Sequence, residues 1–151
     1  MRFEGSVEFN VSRQKAWEFL KDPYAISQCA PGLKSVDVII PDKQFRVVAG
    51  VSFGSVQVTF DTDVELLELD EPSHSKVKAH GKAPGSALDI TGDMYLVEVA
   101  SDLTQLKWSA EVVVVGTIAS LASRLMGAVT RKLSDAFFDC LKKKLEVGAP
   151  A

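Results

Sequence analysis

The side chains that could support acid–base or metal chemistry in this 151-residue sequence are a run of carboxylates and two histidines. Asp61, Asp63 and Glu65 alternate along one segment, and paired carboxylates can act as general acid and base. All three share the polar phase of that segment, which favours a solvated sheet face. His74 falls in a turn and His80 in the polar phase of a strand, and neither has an Asp, Cys or His partner at ligand spacing. We therefore predict no metal site.

The other reactive side chains do not suggest a catalytic set either. Asp89, Asp93 and Tyr95 lie in the outward phase of a later strand, and no nucleophile stands beside a base. Cys29 and Cys140 are far apart in sequence and match no CxxC motif, so we expect two buried free thiols in a reducing cytoplasm. The residues predict no catalytic group and no cofactor, and the protein is not expected to be an enzyme.

Composition narrows the class of protein further. The net charge is −3 and no long basic run occurs, which argues against a nucleic-acid partner. No apolar run reaches the roughly 20 residues that a membrane span requires, and the N-terminus does not resemble a signal peptide. With 46% hydrophobic and 25% charged residues, the sequence predicts a cytoplasmic globular protein. We expect a single domain over residues 1–147 and a flexible tail at residues 148–151.

One long amphipathic helix is predicted near the C-terminus, over residues 117–147. Its length would be about 45 Å at about 1.5 Å per residue. Gly127 interrupts the helix interior, and it indicates close contact with a strand or a slight kink, or else room for a ligand. The apolar positions recur every three or four residues, at Ile118, Leu121, Leu125, Val129, Leu133, Phe137, Leu141 and Leu145.

The segments before this helix predict a seven-stranded sheet, with two short helices between its first and second strands. A first alternating strand is followed by a short helix that Ser12 can cap and that Asp22 and Pro23 end. A second short helix through Ile26 comes next, and then six alternating segments are joined by short turns, which favour antiparallel pairing. The order predicts an α+β helix-grip fold: a curved seven-stranded antiparallel sheet wrapped around the long helix, with two short helices after the first strand.

A set of motifs, in this order and spacing, points to a known family. They are Trp17-Glu18-Phe19-Leu20 with Asp22-Pro23, Cys29-Ala30-Pro31-Gly32, GVSFGSV at residues 50–56, Gly81-Lys82 with Gly85-Ser86-Ala87, Gly116 ahead of Leu121-Ala122-Ser123-Arg124-Leu125, and Phe137-Phe138. Over nearly all its length the sequence thus resembles the G-subunit family of carbon monoxide dehydrogenase, within the START/Bet v 1-like (SRPBCC) helix-grip superfamily.

The resemblance implies an accessory protein of a molybdenum-containing CO dehydrogenase or a related hydroxylase. Such proteins are thought to help recruit the enzyme to the membrane, which implies peripheral contact with the inner face of the cell membrane. Many relatives have a longer C-terminal extension that could touch the membrane, whereas this sequence ends at Ala151. The basic run at residues 142–144 could touch anionic lipid, or it complements the dipole of the helix end.

Two classes of function stay open. The inward-facing positions are almost wholly apolar, which is typical of a pocket for a lipophilic molecule such as a quinone or a lipid, or of a filled core. The first class is a noncatalytic carrier that holds such a ligand, and the second is a small cavity enzyme of the polyketide cyclase or hydratase type. The predicted ligand-binding residues are Val47, Phe53, Val58, Phe60, Ile90, Met94, Trp108, Leu121, Leu125, Met126 and Val129.

Overall fold

The computed structural model describes residues 1–147 of the chain, and the tail expected at residues 148–151 lies outside the described residues. Within that range, strands and helices follow one another in the order that the sequence predicts. They are β1 (Arg2–Phe9), α1 (Arg13–Lys21), α2 (Pro23–Ser27), β2 (Leu33–Ile40), β3 (Gln44–Phe53), β4 (Val56–Asp70), β5 (His74–Ala83), β6 (Ser86–Ala100), β7 (Leu103–Gly116), α3 (Ala119–Lys142) and a π-helical turn, Lys143–Val147.

The seven strands form one antiparallel sheet in the order β1-β7-β6-β5-β4-β3-β2. Strands β2 to β7 pair with their neighbours in sequence, and β1 closes the order by pairing with β7. The turns are tight where Phe53 lies opposite Val56 and where Ala83 lies opposite Ser86. The sheet is curved and packs against α3, so the predicted helix-grip fold is confirmed.

Helix caps explain where the two short helices begin and why they meet at Asp22. The hydroxyl of Ser12 accepts a hydrogen bond from the backbone N–H of Lys15 and caps α1, as predicted. Asp22 ends α1 and also caps α2, because its side chain accepts from the N–H of Tyr24 at 3.0 Å. Pro23 occupies the first turn of α2, where its missing N–H has no cost. Helix α2 is five residues long and has no buried residue.

Helix α3 begins and ends differently from the prediction over residues 117–147. It begins at Ala119, because Gly116 adopts a left-handed φ of 100° and the N–H of Thr117 donates to the carbonyl of Gly85 at 3.0 Å. These two features keep the start of the predicted helix in a turn against the β5–β6 hairpin. From Lys143 to Val147 the helix continues with π-type hydrogen bonding.

Apolar residues form two separate cores along α3. What we call the α1 core packs α1 and β1 against the end of α3 and the π-helical turn. Its buried residues are Phe9, Val11, Ala16, Trp17, Leu20, Leu96, Leu106, Leu141 and Leu145. What we call the hairpin core packs the β3–β4 hairpin and β7 against the start of α3: Phe53, Phe60, Val112, Ile118, Ala122 and Met126. Each fully buried Leu or Phe contributes about 1.5–3 kcal/mol, so both cores stabilise the grip.

This packing bears on two positions that stand out in the sequence. Trp108, predicted to share one site with Leu121 and Leu125, packs against the α1 core, with its ring centroid 6.4 Å from that of Phe138, whereas the two leucines pack against the hairpin core. The reason is that β7 is long enough to serve both cores. Gly127 is exposed, and an added Cβ there would meet nothing within 4 Å, so it neither contacts a strand nor opens space for a ligand.

Candidate ligand-binding cavity

A cavity of about 460 Å³ lies between the sheet, the two short helices and the C-terminal half of α3. Small-molecule sites in proteins typically measure about 300–1,000 Å³ and are mostly apolar. The walls here are almost wholly apolar as well. They are formed by Trp17, Leu20, Lys21, Pro23, Ile26, Ser27, Ala30, Leu33, Val36, Phe45, Val47, Val64, Leu66, Leu69, Ser75, Val77, Ile90, Gly92, Asp93, Met94, Leu106, Trp108, Ser109, Ala110, Phe137 and Phe138.

Strand alternation and a few small residues create this space. Each strand turns every second side chain toward the helices, so six strands supply a continuous apolar wall. Gly5 lies opposite Trp108, and a Cβ at Gly5 would stand 2.9 Å from the indole Nε1, so only glycine leaves room for that ring. Gly92 and Ala110 face one another on β6 and β7 and take up little volume.

Aromatic rings gather on the side of the cavity next to α3. The ring of Phe138 lies 5.2 Å from that of Phe137 and 6.5 Å from that of Phe9, within the range of favourable aromatic pairs. Both tryptophans of the chain, Trp17 and Trp108, also line the cavity. An occupant would therefore contact aromatic faces and both indoles, which makes its binding observable by fluorescence.

The predicted ligand-binding residues divide between the cavity and the hairpin core. Val47, Ile90, Met94 and Trp108 line the cavity, and their contact with a ligand stays a prediction. The other seven lie in or against the hairpin core, where α3 meets the sheet closely: Phe53, Val58, Phe60, Leu121, Leu125, Met126 and Val129. Sequence periodicity identifies the inward face of a helix or strand. It does not show where along α3 the helix and the sheet leave a cavity between them. The contributions of α1, α2 and Phe137 were therefore missed.

Polar groups are few on the cavity wall. Lys21 forms an exposed ion pair with Glu71 of the β4–β5 turn at 3.9 Å. The carboxylate of Asp93 is held by His74, whose Nε2 lies 2.9 Å from it. Ser75 and Ser109 also belong to the wall. Among the residues that the structure describes, these side chains do not place a nucleophile beside a free base.

His74 and His80 both have carboxylate partners, so the expectation that they lack them is wrong. His80 Nδ1 lies 2.6 Å from Asp89, and His74 Nδ1 lies 3.2 Å from Asp70 and 3.6 Å from Glu68. These partners sit on paired strands or across a turn, which sequence spacing does not reveal. Glu68, Asp70 and His74 offer three potential metal-ligand atoms within 4.8 Å of one another.

The environment of His74 changes its proton affinity. The hydrogen bond to Asp93 is the largest influence raising the pKa of His74, and the bond to Asp70 and the charges of Asp93 and Glu68 act in the same direction. Burial opposes them, because it disfavours the charged ring. The ring also stacks on Tyr95, with centroids 4.4 Å apart. The arrangement therefore favours the protonated form of the ring at the start of β5.

The carboxylate run on β4 is a solvated surface, as the alternation predicts. Asp61, Asp63 and Glu65 are all exposed. Arg46 of β3 forms a two-pronged ion pair with Asp61, with Nε 2.9 Å from Oδ1. The hydrogen bond from Arg46 lowers the pKa of Asp61, so this carboxylate is ionised and unsuited to act as a proton donor.

Cys29 and Cys140 form a disulfide, so the expectation of two free thiols is wrong. Their Cα atoms lie 5.4 Å apart, although 111 residues separate them in sequence. Cys29 follows α2, and Cys140 lies one turn after Phe137 on α3. The bond therefore joins α2 to α3 beside the cavity. Only the fold brings the two residues together, which is why their spacing along the chain gave no sign of it.

A family comparison agrees with this architecture. The family model for the G subunit of carbon monoxide dehydrogenase (CoxG) matches residues 5–146, which is nearly the whole chain. The chain belongs to the CoxG family. No curated protein is significantly similar to it in sequence. Across the residues that the structure describes, no helix is both long enough and apolar enough to cross a membrane.

Solved structures show the same fold for this CoxG-family chain. A conserved protein from Geobacillus kaustophilus superposes with a TM-score of 0.89 at 24% identity, covering 97% of this chain and 95% of that one. The Zhui aromatase/cyclase from Streptomyces sp. R1128 gives 0.79 at 16% identity, covering 100% and 96%. A START superfamily protein from Mycobacterium smegmatis gives 0.69 at 16% identity, covering 96% and 97%. The fold is thus that of the START superfamily.

Proposed function

We propose that this protein is a noncatalytic accessory protein of a molybdenum-containing CO dehydrogenase or related hydroxylase, and that it carries a quinone or similar lipid in its cavity. The observation that supports the proposal is an apolar space of about 460 Å³ in a chain of the CoxG family. Oxidation of CO releases electrons and protons, and a quinone that accepts them becomes a quinol. An accessory protein that holds the quinone brings the acceptor to the enzyme.

The energetics favour an apolar occupant. Burying apolar surface yields about 25 cal/mol per Å², so a short prenyl chain against these walls repays the cost of ordering the ligand. Phe137, Phe138 and the two tryptophans offer ring faces for stacking. The polar wall groups are few, as expected for a site that orients one polar head group and leaves the rest of the ligand to apolar contact.

Binding can be tested by tryptophan fluorescence. Titration with decylubiquinone or a short-chain menaquinone is expected to quench emission, because both Trp17 and Trp108 line the cavity. Trp17→Phe and Trp108→Phe each leave one indole, and both variants are expected to retain quenching. Unchanged emission in the unsubstituted protein with both quinones would refute the carrier proposal.

A matched pair of substitutions on β7 locates the binding site. Ala110→Leu adds volume inside the cavity, whereas Val113→Leu adds it at an exposed position of the same strand. Ala110→Leu is expected to weaken quinone binding about tenfold, equivalent to about 1.4 kcal/mol. Val113→Leu is expected to leave affinity unchanged. Equal effects of the two substitutions would place the quinone outside the cavity.

The link to a partner enzyme and to the membrane has its own test. A purified molybdenum CO dehydrogenase, supplied with CO, is mixed with vesicles that contain menaquinone, and quinol formation is followed with and without this protein. We expect quinol to form faster with the protein present, and Ala110→Leu to reduce the gain. No gain over the enzyme alone would refute the accessory role.

A second candidate is a small cavity enzyme of the polyketide cyclase or hydratase type, which the fold shared with the Zhui aromatase/cyclase favours. Such an enzyme needs a proton-transfer group in its cavity. Asp93 is the one carboxylate among the wall residues described, and His74 holds it. Incubation with polyketide substrates separates the candidates: turnover that disappears in Asp93→Asn would replace the carrier proposal with this one.

A further inference from the structure

One covalent bond joins a weakly buried part of the cavity wall to α3. Helix α2 and the residues after it contribute Pro23, Ile26, Ser27 and Ala30 to that wall, yet α2 has no buried residue of its own. Segments with few buried contacts open at the lowest free energy in native proteins. Strand β2 also has no buried residue, but it is paired with β3, whereas α2 lies outside the sheet and is therefore suited to move aside.

The segment lies between two fixed points. At its start, Asp22 serves as the end of α1 and the cap of α2. At its end, Gly32 takes a left-handed φ of 75°, and its carbonyl accepts a hydrogen bond from the N–H of Gly50 at 2.8 Å. Both ends coincide with a proline, Pro23 and Pro31. A segment anchored in this way can swing as a flap without disturbing the sheet.

One covalent bond ties the flap to α3. The Lys21–Glu71 ion pair lies on α1, before the flap begins, and both of its side chains are exposed, so it contributes little to closure. The Cys29–Cys140 disulfide joins the C-terminal end of the flap to α3, three residues after Phe137 of the cavity wall. The sulfur of Cys140 also lies 3.7 Å from the carbonyl oxygen of Gln28.

We propose that the Cys29–Cys140 disulfide is a reducible latch on α2 that controls ligand entry into the cavity and ligand release from it. The proposal rests on the proposed ligand-carrying function and adds its regulation. In the oxidised protein the disulfide tethers the end of the flap to α3, and exchange of the ligand is slow. In the reduced protein the flap opens and exchange is fast.

The reaction requires a dithiol reductant. A thiolate of the dithiol attacks the sulfur of Cys140, which is partly exposed whereas Cys29 is buried. The Cys29–Cys140 bond breaks, Cys29 leaves as a thiolate that is then protonated, and a mixed disulfide joins Cys140 to the reductant. The second thiolate of the reductant attacks the reductant sulfur of this mixed disulfide, closes a disulfide within the reductant and releases the Cys140 thiolate, which is protonated in turn. Two electrons and two protons pass to the protein, which leaves the chain with two cysteine thiols.

The test measures exchange of an apolar fluorophore, N-phenyl-1-naphthylamine, by stopped flow. Oxidised protein, protein reduced with dithiothreitol, and Cys140→Ser are compared, and Ala136→Ser serves as a control one turn earlier on α3. We expect association and dissociation to be about tenfold faster in the reduced protein and in Cys140→Ser. This factor corresponds to a free energy of flap opening that is lower by about 1.4 kcal/mol. Ala136→Ser is expected to match the oxidised protein. Equal rates in all four samples would refute the latch.

Hydrogen exchange of backbone amides provides a second readout that needs no ligand. Reduction is expected to speed exchange across residues 23–30 while the amides of β6 stay protected. Unchanged exchange in residues 23–30, or two free thiols in the protein before reduction, would refute the latch. If neither the fluorophore nor decylubiquinone binds in any state, the carrier function is refuted, and the hydrogen-exchange result still decides whether α2 is latched.

Discussion

His74 lies among carboxylates of β4 and β6, and this should make the stability of the protein fall as the pH rises above about 6.5. The pKa of His74 is raised from its ordinary value of about 6.5, chiefly by the hydrogen bond to Asp93. A group whose pKa is higher in the folded state stabilises that state fully below its unfolded pKa. The contribution of His74 is therefore complete below about pH 6.5 and is lost as the pH rises through the folded-state pKa.

The measurement combines urea unfolding between about pH 6 and pH 9 with NMR titration of the imidazole. Asp93→Asn removes the charge opposite His74 Nε2 and should return the pKa of His74 toward its ordinary value, which flattens the pH dependence. His80→Gln is the control, because His80 pairs with a different carboxylate, Asp89. A pH dependence that persists unchanged in Asp93→Asn would contradict the assignment to His74.

At the residue scale, the sequence predicted which side chains point to solvent or to the core, but not which side chains contact one another. The exposed face of Asp61, Asp63 and Glu65 followed from alternation alone. The partners of His74 depend on strand register, because Asp93 lies on the next strand and is 19 residues away. The Cys29–Cys140 bond depends on the fold in the same way, since 111 residues separate its ends. Local spacing contains no information about such pairs.

At the scale of elements, Gly127 lowers the stability of α3, and a substitution can correct this. It lies in the helix interior, is exposed, and has open space where a Cβ would stand. Gly127→Ala should therefore raise the free energy of unfolding by about 0.5–1 kcal/mol, because alanine loses less backbone entropy in a helix. Urea unfolding measures the gain, with Ala128→Gly as the reciprocal control at an exposed neighbour. A destabilised Gly127→Ala variant would show that the helix needs glycine there.

The element pattern was largely readable from the sequence, and its errors share one cause. Every strand, the cap at Ser12 and the stop at Asp22 and Pro23 followed from local rules of alternation and capping. The start of α3 was placed two residues early, because the turn at Gly116 is fixed by a hydrogen bond to Gly85. Tertiary contacts of this kind override a local apolar pattern.

At the scale of the molecule, the separation of α3 from the sheet decides where a ligand can fit. The start of α3 packs into the hairpin core, and predicted ligand residues such as Phe60 and Met126 belong to that core and not to the cavity wall. Farther along α3, the cavity is lined by the sheet, by α1 and α2, and by Phe137 and Phe138 of the helix. The sequence predicted an apolar interior. The position of the cavity depends on which part of the curved sheet each helix covers, and that is set by the tertiary packing.

The disulfide also affects the whole molecule through the unfolded chain. It joins residues 111 positions apart, so it restricts most of the unfolded ensemble. Loops of this size are predicted to contribute up to about 4.7 kcal/mol in the chain-entropy model, and measured contributions are typically about 2–4 kcal/mol. Cys140→Ser is therefore expected to lower the free energy of unfolding by about 2–4 kcal/mol, measured with urea against Ala136→Ser. Cys29→Ser and the double variant should show the same loss, because each removes the same bond. A loss confined to one of the two single variants would mean that the missing thiol, and not the bond, had stabilised the fold.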